Sequence, residues 1–247
     1  MIPNPILRVL SSMRAHRVRA LLMGGQACIF YGAAEFSRDA DLAIAASPTN
    51  LTALRRALAD LRAEVIAVPP FVAAYLRRGH AVHFRCRDPL ADGLRVDVMS
   101  RMRGVEAFAK LWSRRTTARL PDGAEIDLLS VPDLVQAKKT QRDKDWPMIR
   151  RLVESSYYAH YDAPTRSHVQ FWLRELRTPE LLVDVAALHP VASRRMQRMR
   201  PLLAHALEGR RRELSRALAT EEMREREADR RYWKPLRAEL ESLRYAR

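Results

Sequence analysis

Apolar residues recur along this chain in two periods, and the mixture of the two stops near residue 146. Between 3 and 17, Ile6, Leu7, Leu10 and Met13 fall three and four apart, the spacing that lines one face of a helix. Residues 18–23 form a short apolar run read as a first strand, and 26–32 return to helical spacing through Ala27, Ile29, Phe30 and Tyr31. A second strand is expected over 41–45. Ser47 followed by Pro48 reads as a helix entry, because a hydroxyl caps the first free N–H groups and proline presets the first turn. Leu51, Leu54, Leu58 and Leu61 then make a buried stripe. Residues 80–87 and 94–99 alternate as strands do, and 119–129 read as a hairpin around Pro121, Asp122 and Gly123. Ser130 and Asp133 have the spacing of a capping box for a helix carrying Leu134, Val135 and Lys138 and running towards Asp145.

Beyond residue 146 only helical spacing remains. Helices are expected over 147–158, 165–176, 180–188 and 192–207, followed by a long charged helix over 210–233. That last helix carries i,i+4 pairs such as Glu222 with Arg226 and Glu227 with Arg231. Pro235 should end or kink it, leaving a short final helix with Leu236, Leu240 and Leu243 on one side. The pattern implies an α+β chain with two domains: a mixed front over 1–150 and an all-helical back over 151–247.

Composition sharpens this picture. With 247 residues and 47% apolar side chains the chain can bury a real core. Its 44 Lys+Arg against 29 Asp+Glu leave a formal charge of +15. That excess points to a polyanionic partner, above all nucleic acid, or else to a solvated basic surface. The front carries most of it, with 24 basic against 15 acidic residues in 1–150, whereas 208–247 hold 12 against 9. Cys28 and Cys86 have neither zinc-site nor disulfide-framework spacing. No secretory leader and no membrane span is legible, so a reducing, cytoplasmic setting is expected. His80 and His83, three apart on an expected strand, would face opposite sides and make a poor metal pair. No His–Asp arrangement accompanies Ser37 or Cys28, which argues against a hydrolytic triad. The four tryptophans, and Tyr157, Tyr158 and Tyr161, read as core or interface residues.

The stretch from Leu21 to Ala45 carries the candidate chemistry. An apolar run ends in Gly24-Gly25, a spacer follows, and Asp39-Ala40-Asp41 opens the next apolar run. Two acids at i and i+2 on a strand share a face, and like charges that close call for a cation between them. A third acid, Asp97, lies between Val96 and Val98 on another expected strand. This order resembles the nucleotidyltransferase superfamily related to DNA polymerase beta. Within it the chain is most similar to small prokaryotic nucleotidyltransferases of the toxin and abortive-infection type. The matching residues are Gly24, Gly25, Ser37, Asp39, Asp41 and Asp97. A second element agrees: the segment 129–138 ending in Lys138, followed by Arg142-Asp143-Lys144-Asp145. The likeness covers roughly residues 20–152.

The resemblance implies a nucleotidyltransferase-like mixed sheet and a metal-dependent reaction. A nucleoside monophosphate would pass from a nucleoside triphosphate (NTP) to an acceptor hydroxyl, releasing pyrophosphate. Asp39, Asp41 and Asp97 are then the expected ligands of two magnesium ions, with Asp97 assisting the attacking hydroxyl. Gly24, Gly25 and Ser37 are expected to contact the triphosphate, and Lys138, with Lys144 second, to meet charge on the leaving phosphates. The basic front favours RNA as acceptor, for example a tRNA 3′ end, with a protein hydroxyl as the variant. A toxin or defence role would add an antitoxin partner. Glu35 and Met148 stand where such relatives often carry Arg and Asp. These departures motivate the alternative of a catalytically inactive module that binds nucleic acid or a partner protein.

Overall fold

A computed structural model describes residues 4–120 and 123–245. It is a mixed α/β structure in which the described residues form one seven-stranded mixed sheet and twelve helices. The chain gathers into two compact units. The first takes the described residues up to Phe30, Ala34–Ala137 and those from Tyr232 onward; the second takes Tyr31–Ala33 and Lys138–Arg231. The division therefore falls at Lys138, earlier than the expected residue 150, and the end of the chain returns to the first unit.

In the first unit α1 (Asn4–Ala15) leads into β1 (Ala20–Met23), α2 (Gly24–Phe30) and β2 (Asp39–Ile44). There follow α3 (Pro48–Asp60), β3 (Glu64–Val65), α4 (Ala73–Arg78), β4 (Val82–Arg85) and β5 (Arg95–Met99). Then come α5 (Phe108–Ser113), β6 (Thr116–Arg119), β7 (Glu125–Leu128) and α6 (Val131–Lys138). The strand order is β3-β4-β5-β2-β1-β7-β6. The pairs β2/β5 and β1/β7 are parallel; the other neighbours are antiparallel. The central strands alternate between their two faces as a half-buried sheet should. Ala40, Leu42 and Ile44 of β2, Val96 and Val98 of β5, and Val82 and Phe84 of β4 are all buried. Asp39, Asp41, Arg95, Asp97 and His83 occupy the intervening, half-buried positions.

Local chemistry fixes these elements. Ser47 caps α3 by accepting from the Asn50 N–H at 3.3 Å, with Pro48 opening the first turn. The Leu51, Leu54, Leu58 and Leu61 stripe is buried as its spacing requires. Asn50, also buried, bonds both backbone groups of Arg19 and the carbonyl of Ala45, tying the start of β1 to the end of β2. The hairpin expected over 119–129 forms from β6 and β7, while Pro121 and Asp122 lie outside the described residues. Ser130 Oγ accepts from the Asp133 N–H at 3.4 Å at the head of α6.

The second unit contains α7 (Asp145–His160), α8 (Arg166–Glu175), α9 (Pro179–Leu188), α10 (Pro190–Met196) and α11 (Leu203–Leu207), and α12 (Arg211–Tyr245) begins in it. Among the described residues after α6 there is no strand. The single helix expected over 192–207 is two helices, α10 and α11. Pro201 lacks the N–H that would continue the ladder. Beside it, buried Arg200 donates to the carbonyls of Leu173 and Leu176, each at 2.9 Å, and pairs with Glu221. A second expectation is also corrected. Pro235 does not end the last helix; α12 runs through it to Tyr245. Contacts beyond the proline offset its lost hydrogen bond: Leu236 is buried, and Glu239 pairs with His80 and Arg78. Among the described residues no helix is long and apolar enough to cross a membrane.

Candidate active site on the acid face of the sheet

Strand register brings the three acids together. β2 and β5 run parallel with Asp41 opposite Asp97 and Asp39 opposite Arg95. Residues paired across a sheet point to the same side, and i and i+2 on one strand do so too. Asp39, Asp41 and Asp97 therefore share one face, away from the buried Ala40, Leu42, Val96 and Val98. On the far side of β5, His83 of β4 is register partner to Asp97. On the near side, Met23 of β1 is partner to Asp41, so the turn that follows Met23 meets the acids directly.

That turn explains both glycines. Gly24 has φ +66°, a left-handed conformation that costs a residue with a Cβ. A Cβ there would overlap the Asp41 carboxylate. A Cβ on Gly25 would lie 2.5 Å from Ser37 Oγ. The two glycines thus let Asp41 and Ser37 lie against bare backbone. Ser37 is held by its own carbonyl, which accepts from Gln26 Nε2 at 2.9 Å, and its Oγ reaches the Asp39 carbonyl at 3.4 Å. Gly24, Gly25, Ser37, Asp39 and Asp41 consequently form one continuous patch at the β1–α2 turn.

Asp97 is oriented from two sides. Its Oδ1 accepts from Arg95 Nε at 2.7 Å and lies 2.8 Å from His83 Nδ1. Arg95 Nη2 is also 2.9 Å from His83 Nδ1, closing a three-membered cluster. Burial alone would raise the Asp97 carboxyl; its hydrogen bonds to His83 and Arg95 and the electrostatic pull of those neighbours outweigh it and hold it below the ordinary carboxylate range. The hydrogen bond to Asp97 in turn raises the Arg95 guanidinium against the pull of its own burial, and Asp39 and Asp41 add to the effect.

His83 and Arg95 neighbour Asp97; the sequence singled out His83 only as a poor metal partner for His80, and Arg95 not at all. Arg95 carried a usable signal, because it sits two residues before Asp97 and must share its face. His83 carried none, since its place depends on how β4 registers against β5. His80, by contrast, precedes β4, is fully buried and has Nε2 2.6 Å from Glu239.

Lys138 and Lys144 belong to the second unit and have unlike surroundings. Lys138 ends α6 and is buried, donating to Asp145 Oδ1 at 3.0 Å. Asp145 is fully buried and also accepts from Thr140 Oγ1 at 2.5 Å and Arg142 Nε at 2.8 Å. The Lys138 ammonium is therefore engaged by a carboxylate rather than presented to solvent. Lys144 is exposed at the head of α7, and no described residue pairs with it.

Three carboxylates on one face, beside a turn without Cβ atoms, form a hard-oxygen donor set of the kind magnesium takes. Among the described residues, no three His, Cys, Asp or Glu side chains already converge on a common metal position. The Oδ1 atom of Asp97 faces Arg95 and His83. The backbone arrangement and donor chemistry suit a divalent ion, provided that Asp97 exchanges those partners for it.

Neither protein-family models nor curated proteins give a match to this chain.

Proposed function

We propose that this protein is a metal-dependent nucleotidyltransferase of the DNA polymerase beta-like kind. It would move a nucleoside monophosphate from an NTP to an acceptor hydroxyl and release pyrophosphate. The observation that supports this most is the common face of Asp39, Asp41 and Asp97 beside the Gly24-Gly25 turn. Asp39, Asp41 and Asp97 would hold two magnesium ions, whose bound charge neutralises the triphosphate and activates the attacking hydroxyl. Asp97, ionised and aimed by Arg95 and His83, is the group to take the acceptor proton at its carboxylate. The backbone of Gly24 and Gly25, with Ser37 Oγ, would contact the phosphates. Of the two lysines expected to meet phosphate charge, Lys138 is engaged by Asp145 and Lys144 is exposed.

The +15 charge favours RNA as acceptor, for example a tRNA 3′ end, with a protein hydroxyl as the variant. A toxin or defence role, with an antitoxin as partner, is the biological setting that the motif resemblance suggests. Pyrophosphate release from each NTP, in the presence of magnesium and RNA, tests the chemistry. The expected result is release that falls on the order of a hundredfold in Asp41→Asn. No release by the unaltered protein with any NTP would overturn it.

One observation favours a second reading. Asp97 is already engaged by Arg95 and His83, which is the state expected of a scaffold that binds RNA without catalysis. Under that reading RNA binding persists and pyrophosphate release is absent.

A further inference from the structure

The second unit contains a cavity of about 430 Å³ that takes no part in the chemistry above. That volume is in the range of small-molecule sites. Its floor is apolar, built from buried Val169 of α8 with Ala192 and Met196 of α10. Its rim carries Arg166, at the head of α8, and Arg195 of α10, with His189 between the helices. No acidic residue lines it. Both arginines are exposed, and neither makes an ion pair or side-chain hydrogen bond among the described residues. Arg194 and Arg198 share these properties. Elsewhere in the same unit the arginines that touch the core are paired, as Arg200 and Arg226 are. Met199, 74% exposed, forms one lip of the cavity.

An apolar hollow rimmed by unneutralised guanidinium groups suits a ligand with a flat, largely apolar body between anionic groups. A base in a single strand has that form: its face packs on aliphatic and thioether carbon while flanking phosphates meet arginine. An acidic peptide helix would need an extended groove, whereas a volume of about 430 Å³ accommodates a base with its sugar. We propose that this cavity seats one base of a single-stranded RNA, with Arg166 and Arg195 on the adjoining phosphates. The seat rests on the RNA-directed part of the function proposed above and not on its chemistry.

The test is fluorescence anisotropy of a labelled, mixed-sequence single-stranded RNA oligonucleotide with the full chain, over a series of salt concentrations. The variant Arg166→Ala/Arg195→Ala is expected to lose about tenfold or more in affinity. Its log–log salt slope should fall in magnitude by about 1.4, the share of two phosphate contacts on a single strand. Ala192→Trp, which fills the hollow and leaves the charge intact, should weaken binding while keeping the unaltered slope. A charge-matched control, Arg211→Ala/Arg212→Ala, at exposed positions of α12 outside the cavity lining, should bind within twofold of the unaltered protein; circular dichroism confirms that each variant is folded. Unchanged binding by either cavity variant, or an equal loss in the charge-matched control, would overturn the seat. So would tighter binding of an acidic peptide or an anionic vesicle than of the RNA. Anisotropy reads RNA binding without nucleotide transfer, so failure of the seat and failure of the chemistry are separate results.

Discussion

Gly24 and Asp41 occupy one another's space: the acid's carboxylate lies where a side chain on residue 24 would begin. The glycine is also left-handed, at φ +66°. Gly24→Ala therefore meets two penalties. The backbone conformation alone costs about 1–2 kcal/mol. The displaced Asp41 carboxylate then leaves its register position opposite Asp97. The expected outcome is a lower urea midpoint together with loss of nucleotidyl transfer. Transfer at the unaltered rate would show that Asp41 need not lie against the turn.

His83 is the neighbour of Asp97 that sequence reading did not select. Its role in the proposed reaction is to orient the carboxylate, at 2.8 Å, not to hold the nucleotide. His83→Ala should leave the unfolding midpoint near that of the unaltered protein and lower kcat by about tenfold, the usual scale for a partner behind a metal ligand. KM for the NTP should be little changed. A raised KM at unaltered kcat would assign His83 to binding instead.

The buried pair of Lys138 and Asp145 makes a prediction about acid stability. Burial pushes the Asp145 carboxyl up, but Lys138, Arg142 and Thr140 push it down further, so it ends below its ordinary value. A carboxyl depressed in the folded state binds its proton more tightly when unfolded. Its stabilisation is complete above the unfolded value, about 3.9, and is lost as pH falls through the lower folded value. Urea unfolding at pH 6 and at pH 3 should show the loss. Asp145→Asn should be destabilised by about 3–5 kcal/mol at pH 6, because Lys138 is left buried without its partner. It should also depend less on pH between those points. An unchanged pH dependence in the variant would remove Asp145 from the account.

Much of the first unit was legible because local chemistry and tertiary need agree there. Ser47 and Pro48 open α3, and the four-leucine stripe behind them is buried as its spacing requires. The α+β class follows from strands that alternate and helices that do not. The acid pair was legible for the same reason: i and i+2 on a strand share a face whatever the strand pairs with. The company kept by Asp97 was not legible, since His83 reaches it only through the register of β4 on β5. Pro235 misled because a proline's local cost is visible in sequence, while the burial of Leu236 and the ion pairs of Glu239 are not. At Pro201 the expected helix does break, where Arg200 turns inward to the carbonyls of α8. Lys138 read as a cation for the leaving phosphates because its buried partner lies seven residues away, beyond the end of its own helix.

Transfer of label to RNA tests the central claim most directly. The protein is incubated with magnesium, total RNA and each NTP labelled at its α-phosphate, and the RNA is resolved on a gel. The account predicts a labelled RNA species with at least one NTP, lost in Asp39→Ala and in Asp97→Ala while both variants stay folded. It is contradicted if the folded, unaltered protein labels neither RNA nor protein, or if both variants transfer label as well as it does.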